Sequence, residues 1–126
     1  MDRRTRLTFA LLIAAQAAHS IEEYVGRLYD VFPPARFVSG VVSTDRQLGF
    51  AILNVAIVTI GVVCAAQVWR GRWRGAMWIW IAVETANGVV HPTFSIVRGG
   101  YTPGVITAPL LLAVALSLAY QLRMVE

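Results

Sequence analysis

Five ionisable residues interrupt apolar runs in this chain. His19, Glu22 and Glu23 break one run and Glu84 and His91 break another, with Asn87 between the last two and Asn54 in a third run. Imidazole and carboxylate together are the ligand types of zinc, iron and manganese. They are also the groups that move protons in general acid–base catalysis. Spacing puts each set on one helix face. At about 100° per residue, His19 stands about 60° from Glu22 and about 40° from Glu23. Glu84, Asn87 and His91 fall within about 60° of one another.

Depth agrees with face. At about 1.5 Å per residue, His19 and Glu23 lie about 18 and 24 Å into a helix counted from Leu7. Glu84, Asn87 and His91 lie about 14, 18 and 24 Å into one counted from Gly75, and Asn54 about 22 Å back from Trp69. The sequence therefore predicts one shared site. His19, Glu22, Glu23, Glu84 and His91 serve in it as metal ligands or as catalytic acids and bases. Asn54, Asn87 and Tyr101 line it to orient a substrate. A divalent zinc, iron or manganese ion is the cofactor this donor set suits.

The elements that must carry these residues are membrane-like. The chain has 126 residues, 57% of them hydrophobic and 14% charged. A soluble domain has about 25% charged residues, and a disordered chain more. The length is that of one domain. The net charge of +4 comes from arginines scattered between apolar runs, not from a basic face, so a nucleic-acid partner is not expected. A lone cysteine, Cys64, excludes a disulfide framework and a cysteine-rich metal site. All the basic residues are arginine, which, with the abundant Ala, Gly and Val, fits a GC-rich bacterial genome.

Four stretches approach the roughly 20 apolar residues that cross a bilayer: about 7–32, 48–69, 75–97 and 104–122. Only helices or closed barrels satisfy backbone groups in lipid, and these runs are too continuous for barrel strands. The expectation is an all-α, four-helix transmembrane bundle forming a single domain. Pro33-Pro34 ends the first helical unit. After it, Ala35–Gln47 crosses the surface with a short helix whose apolar side is Phe37, Val38, Val41 and Val42. Pro92 is expected to kink the third span at Gly88. Arg3, Arg4, Arg6, Arg70, Arg72, Arg74 and Arg123 share one side, against Arg27, Arg36, Arg46 and Arg98 on the other. The positive-inside rule then puts both termini in the cytoplasm of a multi-pass inner-membrane protein. Trp69, Trp73, Trp78 and Trp80 are expected at the cytoplasmic interface. The first run also has signal-peptide features, with a basic start and Ala15-Gln16-Ala17 as a cleavage site, but a retained helix is the expectation.

His19-Ser20-Ile21-Glu22-Glu23, Asn87-x-x-x-His91 and Tyr101-x-Pro103-Gly104-x-x-Thr107 follow one another in order along the chain. Together they resemble the HXXEE-motif family of small bacterial membrane proteins. The resemblance covers nearly the whole chain. It implies a four-span bundle with a shared polar site and names no reaction.

Three chemistries fit such a site. One is a membrane enzyme, metal-dependent through the His/Glu set, acting on a hydrophobic lipid- or isoprenoid-like substrate. Another is metal-free acid–base catalysis by an isomerase, hydrolase or terpene cyclase, with Glu84 or Glu23 as the acid. The third is a proton or metal-ion transporter or channel subunit, for which a homo-oligomer supplies the pathway that four spans alone lack. The bland reading is a His–Glu packing pair, worth about 0.6 kcal/mol in a membrane. It accounts for one pair and not for five ionisable groups at one depth.

Overall fold

The computed structural model describes residues 1–125. Among the described residues all regular structure is helical: α1 (Arg3–Val25), α2 (Leu28–Val31), α3 (Pro33–Val42), α4 (Arg46–Trp69), α5 (Arg74–Arg98) and α6 (Ala108–Arg123). Carboxylates start two of the long helices. Asp2 accepts from the Thr5 amide at 2.8 Å and Asp45 from those of Gln47 and Leu48 at 3.1 and 3.3 Å, satisfying amides that a helix start leaves open.

α1 packs on α4 and α6, and α5 packs on α6. The short α3 lies against α4, where Gly49 comes so close to the Ser39 backbone that any Cβ there would overlap its carbonyl. Both ends of the chain sit at one end of the bundle. Arg6 donates to the Trp69 carbonyl at 3.2 Å and Gln121 to the Thr8 hydroxyl at 3.1 Å. That arginine-rich end encloses a core of Phe9, Leu12, Ile13, Val68, Met77, Trp80, Leu118 and Leu122, with Cys64 as a small apolar filler. A smaller cluster of Leu28, Tyr29 and Phe50 covers the opposite end.

Several expectations change. Among the described residues only α4 is both long and apolar enough to cross a membrane by length and composition; α6 is apolar but has 16 residues. α1 and α5 have the length, 23 and 25 residues, but their polar residues lower their hydropathy. The first helix does not reach Phe32. It ends at Val25, and Arg27 takes a left-handed conformation (φ 60°), reversing the chain into α2. The last helix begins at Ala108 rather than Gly104, because residues 104–107 fold around a carboxylate of α1. Trp80 belongs to the core, whereas Trp69, Trp73 and Trp78 are exposed. α5 runs through Pro92 to Arg98 as one helix. The short helix expected after Pro33-Pro34 is α3, with Phe37, Val38, Val41 and Val42 turned outward.

Candidate metal centre

His19 and Glu23 are one turn apart on α1, and His91 faces them from α5. Glu23 Oε1 lies 2.7 Å from His19 Nε2 and 3.0 Å from His91 Nε2, and the two Nε2 atoms are 3.2 Å apart. All three residues are buried. They converge because the face arithmetic holds on each helix and because the 101–107 loop presses the two rings together.

Both far nitrogens of the rings are committed. His91 Nδ1 lies 3.1 Å from the Pro103 carbonyl, which can only accept, so Nδ1 carries a proton. His19 Nδ1 lies 2.7 Å from Thr107 Oγ1, whose own hydrogen goes to Glu22 Oε1 at 2.7 Å. His19 Nδ1 therefore donates as well; these hydrogens follow from the bonding network. A neutral ring then turns its Nε2 lone pair to the centre, where the Glu23 carboxylate also brings only lone pairs, whereas a ring protonated on both nitrogens donates Nε2–H to that carboxylate. Three acceptors facing one another repel unless a cation joins them. Bonds of about 2.0–2.1 Å to one ion set ligand atoms about 2.9 Å apart at right angles and about 3.4 Å apart at the tetrahedral angle; the three atoms here lie 2.7, 3.0 and 3.2 Å apart. Two histidines and one carboxylate are shared by catalytic zinc sites and by non-haem iron sites with open positions. A hydrogen-bond acceptor on the far nitrogen is what orients a metal-binding histidine.

Glu22 is not in this group. Its side chain turns to the loop before α6 and accepts from the amides of Gly104 (2.9 Å), Ile106 (3.2 Å) and Thr107 (2.9 Å). It also accepts from the hydroxyls of Tyr101 (2.9 Å) and Thr107. Tyr101, expected to meet substrate, is instead a partner of Glu22, and partial burial together with that carboxylate raises its hydroxyl above the ordinary phenol range. Glu84 is fully buried but stands off the three ligand atoms. It accepts from Asn87 at 3.0 Å, and the Gln16 amide, turned with its nitrogen to the carboxylate, donates to it at 2.9 Å. The structure thus brings together His19, Glu23 and His91 and sets Glu22 and Glu84 on either flank.

A cavity of about 340 Å³ opens from the centre, with Gln16, Glu23, Asn54, Asn87 and His91 on its polar side. Asn54 lies on the wall, where the sequence puts it, though its amide donates to the Phe50 carbonyl. Opposite are Leu28, Phe32, Phe50, Leu53 and Ile57.

Sequence reasoning missed Gln16, Gly104 and Thr107 as parts of this site. A Cβ on Gly104 would stand 2.5 Å from His91 Nδ1 and 2.9 Å from His19 Cε1, and its φ is +98°. Only glycine allows both that approach and that backbone. The Tyr101-x-Pro103-Gly104-x-x-Thr107 run holds the signal for two of them: a turn sequence with a hydroxyl at a fixed offset.

A family model described as "Protein of unknown function with HXXEE motif" matches residues 10–119, and the chain belongs to that family. Neither a curated protein nor a solved structure matches it. The geometry divides the motif's labour: its histidine and last glutamate face the centre, while its first glutamate holds the loop that orients the histidine.

Proposed function

We propose that this chain is an integral membrane enzyme in which His19, Glu23 and His91 hold a divalent metal ion of the zinc, iron or manganese class and act on a hydrophobic substrate in the adjoining cavity. The observation that carries the reading is the meeting of three lone-pair donors whose histidines are already proton-committed on the far side. A metal held there supplies Lewis acidity to an oxygen of the substrate. The chain's own groups exclude water, through Phe32 and Phe50, and orient polar substrate atoms, through Asn87 and Gln16.

The membrane part of the proposal is a bundle of α1, α4, α5 and α6 with both termini cytoplasmic. Its support is an apolar outside together with ionisable groups buried inside at one end of the bundle. Leu7, Leu11, Ile21, Val55, Ile60, Val62, Ile79, Val89, Ile96 and Leu116 are exposed while His19, Glu23, Glu84 and His91 are buried. A water-soluble fold has no reason to arrange its residues that way. The arginines near both chain ends gather at the end away from the centre, consistent with the positive-inside rule.

Elemental analysis of the detergent-purified protein beside Glu23→Gln tests the centre. The expected result is about one metal ion per chain in the parent and none in the variant. Protein without metal in both preparations rejects the metal centre and leaves proton chemistry at the same three residues.

A further inference from the structure

The cavity beside the metal centre has a second unmet polar group. Ser39 on α3 is fully buried, its Oγ has no hydrogen-bond partner among the described residues, and it lines the cavity. A buried hydroxyl left unpaired costs about 1–3 kcal/mol. A ligand oxygen in the cavity relieves that cost.

The opening has the contrary character. Its exposed rim is Val38 of α3, Ile57 of α4 and Ala86 and Val90 of α5, all apolar. It lies on the seam between α4 and α5, which share a tight turn at 70–73 but pack elsewhere: α4 on α1 and α3, α5 on α6. Ile57 is midway along α4 and Ala86 midway along α5, each about 17 Å from the helix ends. His91 is about 10 Å from the end of α5. The apolar rim therefore extends from the level of His91, beside Val90, to mid-height at Ile57 and Ala86.

We infer that this cavity takes an acyl-chain amphiphile from the bilayer. Its head-end oxygen is held between the metal centre and the Ser39 hydroxyl, and its chain passes out between α4 and α5. The inference rests on the metal-enzyme reading for one of the two head contacts. Both contacts seek an oxygen that accepts, as an ester, amide or carboxylate oxygen does, and neither suits a cationic head. The volume lies at the low end of the roughly 300–1,000 Å³ of small-molecule sites, enough for a head and the start of a chain. The rim meets acyl chains, not water, so the ligand arrives laterally.

The test uses the full-length protein in lipid nanodiscs and a long-chain fatty acid carrying a mid-chain diazirine. After photolysis, labelled peptides are mapped by mass spectrometry and metal is measured on the same samples. Labelling is expected to concentrate on 50–57 and 86–90. Ala86→Trp, which fills the opening, is expected to cut it roughly tenfold with metal content unchanged. Val62→Trp, exposed on α4 about 140° around the helix from Ile57, leaves it unaltered. Ser39→Ala should weaken competition by unlabelled fatty acid about fivefold, the size of one hydrogen bond, without changing competition by a plain alkane. Labelling spread evenly over the lipid-facing helices, or indifferent to Ala86→Trp, overturns the inference. Metal bound with no cavity labelling overturns it and spares the metal centre. Cavity labelling without metal supports the chain path and the Ser39 contact and refutes the metal reading alone.

Discussion

At the arginine-rich end of the bundle, Phe9, Leu12, Met77, Leu118 and Leu122 fill the space between helices with hydrocarbon. At the other end the same α1 and α5 are just as buried, yet they present His19, Glu23, Glu84 and His91. The apolar end is satisfied by close packing alone. The polar end contains three lone-pair donors that face one another and a carboxylate, Glu84, met only by amides. One end holds the helices together and so lets the other keep groups in a costly arrangement, as functional sites do.

That contrast predicts opposite outcomes for substitutions at the two ends. The largest effect belongs to Glu23→Gln. Gln keeps the shape but has no charge and cannot complete the set, so metal is lost entirely while the variant melts no lower than the parent stripped of metal. Metal titration and thermal unfolding in detergent check both halves.

Phe9→Ala is next, at about 3–5 kcal/mol of stability from the cavity it leaves. Metal stoichiometry in the surviving folded fraction should stay at the parent value. If metal binding falls with it, the two ends are not separable and the comparison breaks.

Glu22→Ala should cost about 2–3 kcal/mol, since five donors lose their common acceptor. Unlike the Glu23 variant, it should lower the melting temperature. Adjacent glutamates of one motif would then fail in different ways, one in stability and one in binding.

The smallest effect is that of Thr107→Val, which removes the hydroxyl between Glu22 and His19. Affinity for the metal should drop about 10- to 100-fold, the usual weight of an outer-shell partner, with stability little changed. Competition against a chelator of known affinity reads this directly.

Much of the centre could be read in the sequence. His19, Glu23 and His91 follow from helical spacing and matched depth, because a helix converts sequence offset into direction. Glu22 shows where that logic stops. It is within about 60° of His19 on the helix wheel, but a seam between helices is narrower than that, and its side chain leaves on the far flank. What draws it there is a loop some eighty residues away, a relation no local pattern encodes. The same bonds explain the late start of α6, since the amides of Gly104, Ile106 and Thr107 go to Glu22 instead of a helix. The end of α1 was hidden for another reason. Arg27 takes a left-handed conformation that arginine seldom adopts, and only Gly26 beside it hints at a break. Among the described residues an apolar run of membrane length is plain in α4 and is interrupted in α1 and α5, whose polar residues build the candidate centre.

The central claim is that His19, Glu23 and His91 coordinate one metal ion, and X-ray absorption at the metal edge of the purified protein addresses it most directly. Two imidazoles and oxygen ligands at about 2.0–2.2 Å are expected, and the metal-edge signal is lost in His91→Ala as in Glu23→Gln. A spectrum showing only oxygen neighbours, or one unchanged by His91→Ala, contradicts it.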